Sequence, residues 1–165
     1  MRVLGVDTSL RSSGVAVIET RGSSLVAVEF GTVTTPARRP LSECLRRLHE
    51  SLEDLIRRQR PEEAALEGVF FCKNVRTAVT LGHARGVVVS LLALQGIPVY
   101  EYPPRRVKQA VVGYGGAEKE QVRGMVMKLL NLREDPGEDA GDALAIALCH
   151  LHTTSRHAEL ASKPI

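Results

Sequence analysis

Arg2-Val3-Leu4-Gly5-Val6-Asp7, then Thr8-Ser9-Leu10-Arg11-Ser12-Ser13, then Gly14-Val15-Ala16-Val17-Ile18-Glu19 form an apolar run, a polar turn and a second apolar run. Short Val- and Ile-rich runs joined by Ser-rich turn chemistry predict two paired strands. Leu25 to Thr34 predicts a third, completing an antiparallel meander. The first run ends on an acid, and a carboxylate in an apolar strand is costly unless a partner compensates it. Asp7 is therefore the first candidate functional residue.

Outward from this hairpin, Leu41 to Gln59 places Leu41, Leu45, Leu48, Leu52, Leu55 and Ile56 at intervals of three and four, with Arg and Glu between them. That spacing predicts an amphipathic helix. Pro61 ends it, and Ala64 to Val69 reads as a fourth strand carrying one charge, Glu67. Val75 to Leu94 is helical in pattern, and its second half, Val87 to Leu94, is apolar on nearly every side. One sheet face cannot cover all of it, which leaves surface for a partner. Gly96 and Pro98 punctuate, Val99 to Tyr102 predicts a fifth strand, and Pro103-Pro104 opens a basic segment. The glycine-rich stretch Gly113 to Gly116 precedes a helix from Ala117 to about Leu130, and a last helix runs from about Gly137 to His152. The expected fold class is α/β, with a mixed five-stranded sheet and helices on both faces.

A chain of 165 residues is of single-domain size. Residues 1–155 are expected to form that domain, and 156–165 a flexible tail. Cys44, Cys72 and Cys149 are odd in number and lack CxxC spacing, which points away from a disulfide framework or a structural zinc and toward a reducing compartment. No charged leader precedes the first strand, and no apolar run is expected to reach bilayer length; a cytoplasmic protein without a membrane role is expected. The net charge of +3 fits almost any soluble enzyme, but its distribution is informative. From Tyr102 to Arg133 the net charge is +5; then Glu134, Asp135, Glu138, Asp139 and Asp142 follow with no base between them. A basic surface beside an acidic spot is the pattern expected where phosphates meet metal ions.

Asp139 and Asp142 lie three apart, so they share one helix face, which continues through Ala143 and Ile146. Acids also favour a helix's first turn through its dipole, and Pro136-Gly137-Glu138 looks like a helix start. With Asp7 and Glu67, however, the chain offers carboxylates from the first strand, the fourth strand and the last helix. Mg²⁺ and Mn²⁺ prefer such oxygen ligands. Two ions about 4 Å apart can activate water and stabilise the leaving oxygen in phosphodiester hydrolysis.

At this point the chain resembles the RuvC family of Holliday-junction resolvases. The resemblance rests on Leu4 to Asp7, Ala65 to Phe70 with Lys73-Asn74, Leu81-Gly82-His83-Ala84-Arg85-Gly86, Val107 to Gly113, Ala117-Glu118-Lys119, and Asp139 to Ala147. It implies a ribonuclease H-like fold and a Mg²⁺-dependent endonuclease (Mn²⁺ substituting, two ions per centre) that nicks four-way DNA junctions symmetrically in recombination and repair. It implies that Asp7, Glu67, Asp139 and Asp142 are the metal ligands and catalytic acids. Lys108 and Lys119 fall where the family contacts phosphates, Phe70 where it places an aromatic against bases, and Lys73, Arg76 and Arg123 complete the expected DNA-contacting set. The implied partners are four-way junction DNA, a second copy of the chain and a branch-migration helicase complex, and the implied location is the bacterial cytoplasm, at the nucleoid.

One departure is visible. The family's first Asp is commonly followed by Pro-Gly, here by Thr8-Ser9-Leu10, so the turn is expected to differ in shape, with Thr8 or Ser9 available to a phosphate oxygen.

Other features have plainer readings. Phe71 is expected to pack inward if Phe70 stacks on a base. Lys119 and Arg123, one helical turn apart, also fit a solvated face with Glu118 and Glu120. Cys149, His150 and His152 point in different directions on a helix and lack metal spacing, and His83 between two glycines fits an interface or solvent position. Three alternative functions share part of the pattern. Gly5-Val6-Asp7-Thr8-Ser9 resembles the phosphate-binding opening of actin-like ATPases, but 165 residues hardly supply the two domains that close on a nucleotide. A noncatalytic junction-binding protein would not need all four acids. Another ribonuclease H-like nuclease, acting on RNA, would need the same metal chemistry.

Overall fold

Alternation along β1 (Arg2–Asp7) sends Val3 into one hydrophobic cluster and Leu4 and Val6 into another, as a pleated strand buried on both faces requires. The computed structural model describes residues 1–68, 74–156 and 163–165. β1 pairs antiparallel with β2 (Ser12–Arg21), which pairs antiparallel with β3 (Ser24–Thr34). On its other side β1 pairs parallel with β4 (Glu63–Glu67), and β4 with β5 (Val99–Tyr102). The sheet order is β3-β2-β1-β4-β5, the mixed five-stranded sheet expected.

Helices α1 (Leu41–Gln59) and α2 (Val75–Leu94) cover one face. They meet it through Leu48, Leu52, Leu55, Val88, Leu91 and Leu92, packed on Leu4, Val6, Val17, Ala64, Leu66 and Val99. Fully burying a side chain such as Leu or Val contributes about 1.5–3 kcal/mol, so this layer is anchored by its leucines. The other face carries α3 (Pro104–Val112), α4 (Lys119–Leu129) and α5 (Glu138–Arg156). α5 is buried from Ala143 through Leu148 on all sides, because the sheet lies beneath it and α3 and α4 pack against it.

α5 rests directly on the sheet. A Cβ on Gly5 would overlap the carbonyl oxygen of Ala143, and one on Gly14 the carbonyl of Asp139. The two glycines remove side chains from β1 and β2 where the helix carrying Asp139 and Asp142 descends.

Two expectations need amendment. α3 begins at Pro104, within the stretch expected only as a basic segment. Proline at a helix's first position is compatible with helix, and Gly113 at φ 86° closes the helix by donating its N–H to the Gln109 carbonyl. α2 has the length and composition of a membrane span, 20 residues with a window of mean hydropathy 1.5, contrary to the expectation that no run reaches bilayer length. Here it docks on the sheet through Ala84, Val88, Leu91 and Leu92, while Val75, Val79 and Leu94 face outward. Of the tail, 157–162 lie outside the described residues, and the Ile165 N–H donates to the Val99 carbonyl at 2.9 Å.

Candidate active site

β1 and β4 run parallel with Val6 opposite Leu66, so the next residues, Asp7 and Glu67, sit side by side at the carboxyl ends of adjacent strands. Alternation places both on the α5 face, in phase with Val3 and Ala65. Strand carboxyl ends are where open α/β sheets bind ligands. Asp142, from the second turn of α5, joins them in a cleft of about 380 Å³, whose other polar lining is Lys108 from α3 and Lys119 from α4, with Pro104 and Val107 forming part of the wall.

The electrostatics are those of crowded acids. Burial, then the charges of Asp142, Glu67 and Asp139, push the Asp7 carboxyl from 3.8 up to about 7, against the pull of Lys119. Glu67 is raised by burial and by Asp142, although Lys119 and Lys108 oppose this. Asp142 is raised chiefly by burial, with Lys119 opposing. Lys119 spans the cleft mouth: its Nζ donates to Glu138 Oε1 at 2.6 Å and to Asp142 Oδ2 at 3.4 Å.

Asp139 is placed differently. Its Oδ2 accepts a short hydrogen bond from Ser12 Oγ, and it does not line the cleft. The turn after β1 explains why. Ser9 N–H donates to Ser13 Oγ at 3.0 Å, and Ser9 Oγ accepts from Ser12 N–H at 3.2 Å, so the Ser9 hydroxyl is used within the turn and presents Ser12 to α5. The expectation that Ser9 is available to phosphate is corrected accordingly. The Thr8 hydroxyl is buried and has no hydrogen-bond partner among the described residues.

The remaining expected contacts divide. Lys108 lines the cleft. Arg123 instead lies against Gly141 and pairs with Asp135 at 3.4 Å, on the rim beside the acids. Arg76 is exposed on the first turn of α2. Phe70, Phe71, Cys72 and Lys73 lie outside the described residues.

Sequence reasoning missed Ser12, Glu138 and Arg85, whose Nη1 donates to the Glu67 carbonyl at 3.0 Å. Ser-rich turn chemistry was a visible signal for the first, and the Glu138 charge for the second; the third had none. His150 is buried, not metal-facing: its Nδ1 hydrogen-bonds the Tyr102 hydroxyl at 2.8 Å and its Nε2 Glu63 at 2.6 Å. Cys149 is buried, and burial pushes its thiol up to about 12. His83 is exposed.

Among the described residues, no three potential ligands are already gathered at metal-bonding distance. The donor set nonetheless fits a hard divalent cation: three oxygen-bearing acids on one cleft, each disfavoured as an anion by burial and, for Asp7 above all, by its neighbours. A larger groove, of about 700 Å³, lies by Arg57, Arg60 and Gln95. It too is lined by acids, Glu50, Glu53 and Asp54, but Asp54 pairs with Arg57 of the groove and Glu50 with the neighbouring Arg46.

The raised pKa of Asp7 has a thermodynamic consequence. The folded, metal-free protein holds this proton more tightly than the unfolded chain does, so the favourable contribution is complete below about pH 4 and is lost as pH rises toward 7. In EDTA, Asp7→Asn is therefore expected to melt higher than the unaltered protein, by a margin that grows from pH 5 to pH 8. At about 1.4 kcal/mol per pKa unit the ceiling is about 4 kcal/mol, reduced by solvent screening because Asp7 is partly exposed. Thermal melts across that range check this; a margin independent of pH would contradict it.

The family model described as "Crossover junction endodeoxyribonuclease RuvC" matches residues 3–150. The RuvC of Chloroflexus aggregans is 51% identical over 154 residues, covering 93% of this chain and 94% of that protein. The RuvC of Brevibacillus brevis is 46% identical, covering 91% of each. Among solved structures, Thermus thermophilus RuvC in complex with a Holliday junction substrate superposes with a TM-score of 0.92 at 35% identity, covering 100% of this chain and 99% of that one. The yeast mitochondrial Holliday junction resolvase Ydc2 shares the fold at a TM-score of 0.69 and 11% identity, covering 96% of this chain and 80% of that one. The ribonuclease H-like fold expected from the resemblance is thus borne out, and matches spanning nearly all of both chains leave one assignment: this protein belongs to the RuvC family of crossover junction endodeoxyribonucleases.

Proposed function

We propose that this chain cuts four-way DNA junctions by divalent-metal-dependent phosphodiester hydrolysis, with Mg²⁺ as the working metal and two ions per centre. The observation that carries this is the joint placement of Asp7, Glu67 and Asp142 in one cleft opposite Lys108 and Lys119, in a chain of this family. The ions, when bound, lower the pKa of water and stabilise the leaving oxygen. Asp7, Glu67 and Asp142 hold them. Asp139, whose Oδ2 accepts from Ser12 Oγ, would be the fourth ligand, and its amide variant is expected to be the mildest of the four. Lys108 and Lys119 take the flanking phosphates; Phe70, Lys73, Arg76 and Arg123 extend the DNA surface. Incubating the protein with a synthetic four-way junction, a linear duplex and an RNA duplex, with and without Mg²⁺, tests the reading. Cutting confined to the junction in Mg²⁺ supports it; cutting of RNA alone would assign the cleft to RNA processing.

The lysines have a separable readout. Lys108→Ala and Lys119→Ala are each expected to flatten the salt dependence of junction binding by about one unit of slope without unfolding the protein. An unchanged slope and unchanged cutting in the double variant would return both to a solvated face.

The exposed Val75, Val79 and Leu94 on α2 support a two-fold homodimer built on that helix, which would present two equivalent clefts to opposite strands of a pseudo-symmetric junction. Sedimentation at micromolar concentration is expected to give a dimer, and Val79→Glu a monomer. Monomer alone from the unaltered protein, with and without DNA, would overturn this arrangement. A branch-migration helicase as further partner and a cytoplasmic, nucleoid-associated location follow from the same family reading.

A further inference from the structure

Glu67 is held from both faces of the sheet. Its carboxylate enters the cleft on the α5 side. Its main-chain carbonyl accepts a hydrogen bond from Arg85 Nη1 at 3.0 Å, and Arg85 belongs to α2, on the opposite face. The other guanidinium nitrogen, Nη2, makes a close ion pair with Glu101 Oε1 on β5. The Arg85 side chain is only 16% exposed, while that of Glu101 is 36% exposed, so the guanidinium is shielded from solvent and its carboxylate partner is partly open to it. A single planar fork therefore ties a helix to the ends of two neighbouring strands, a task that the rigid, two-sided donor geometry of Arg suits and that the single ammonium of Lys does not.

The position of this tie matters. Glu67 is the last residue of β4, and the next residue, Gly68, donates its N–H to the Tyr102 carbonyl at 2.9 Å. A strand end is where backbone frays most readily, yet a metal-binding carboxylate must be held within about half an ångström of its working position.

We propose that Arg85 is a positioning residue for Glu67: by gripping its carbonyl from α2 and bracing on Glu101, it sets the place of that carboxylate in the metal-binding cleft. This rests on the reading of Glu67 as a metal ligand.

The test compares Arg85→Met, Arg85→Lys, Glu101→Gln and Glu67→Gln with the unaltered protein. Two readouts are taken: the Mn²⁺ concentration that half-completes the metal-induced rise in melting temperature of the DNA-free protein, and the Mg²⁺ concentration for half-maximal junction cutting. Arg85→Met is expected to move both midpoints upward by about tenfold or more, with cutting partly recovered at high metal and metal-free junction binding unchanged. Arg85→Lys should recover part of the shift, and Glu101→Gln should shift both midpoints in the same direction by less. A lower melting temperature with unmoved metal midpoints would make Arg85 a packing residue only and overturn the proposal. If Arg85→Met does not fold, unmoved midpoints in both Arg85→Lys and Glu101→Gln overturn it equally. Normal metal response and cutting in Glu67→Gln would remove the ligand reading itself, an outcome distinct from normal midpoints in the Arg85 and Glu101 variants beside a defective Glu67→Gln.

Discussion

Asp7→Asn is expected to reduce junction cutting in saturating Mg²⁺ by about three orders of magnitude, the scale of several kcal/mol of lost transition-state stabilisation at a metal centre. The amide keeps the shape of the side chain and removes the charge. Binding of the uncut junction, measured by gel shift without metal, should be retained or strengthened, because one negative charge fewer faces the phosphates. Asp7 is the residue for which the effect should be largest: it ends the central strand β1, next to Glu67, and its carboxyl is raised first by burial and then by the charges of Asp142, Glu67 and Asp139. Glu67→Gln and Asp142→Asn should follow closely, and Asp139→Asn less severely. A purely structural acid would behave in the opposite way, with stability and both activities falling together. Near-normal cutting by the Asp7 and Glu67 variants would defeat the assignment of the cleft.

The second large effect is expected at a residue that carries no side chain, beside the acids on the β1–β2 ladder. Gly14→Val should cost about 3 kcal/mol or more of stability, as overpacking against backbone does, since even a Cβ there meets the Asp139 carbonyl. Any folded fraction should cut poorly, because the helix carrying Asp139 and Asp142 can be accommodated only by lifting from the sheet. Gly5→Val should act alike through the Ala143 carbonyl. Gly31→Ala is the matched control, with nothing within 4 Å of its added Cβ, and should change stability by less than about 1 kcal/mol. Denaturant melts compared with cutting per folded molecule separate the two consequences; a fully stable and active Gly14→Val would show that α5 does not need to lie so close.

These glycines mark where the sequence was legible and where it was not. The apolar runs of β1 and β2 and the three-four spacing of α1 predicted elements that the structure contains, the strands because both their faces are buried and the helix because one face must be and its period shows it. α2 and β5 were separated by Gly96 and Pro98, and the limits expected for them, Val75 to Leu94 and Val99 to Tyr102, agree as well. α3 was missed because Pro103-Pro104 was weighed as a breaker, when the second proline stands at a helix's first position. In the site, the change from a basic to an acidic stretch anticipated the cleft's two walls, Lys108 and Lys119 against Asp142. Helical spacing alone could not separate Asp139 from Asp142. That depends on Ser12, a residue 127 positions away. Lys119 was equally a solvated residue by its neighbours in sequence, and only the approach of α5 to α4 brings Glu138 and Asp142 to it. Arg85 is one of two arginines in a largely apolar helix, and its partners belong to the ends of two strands that no local pattern connects to it.

The claim on which the rest depends is that the Asp7–Glu67–Asp142 cleft holds divalent metal. The most direct measurement is a titration of Mn²⁺ into DNA-free protein at pH 8, above the raised pKa of Asp7, following the paramagnetic signal of the free ion, with the unaltered protein and Asp7→Asn side by side. Saturable uptake by the unaltered protein and uptake at least tenfold weaker in the variant is the expected result, in keeping with the loss of a charged oxygen ligand. Equal uptake by the two, or none by either, would contradict a metal centre at this site.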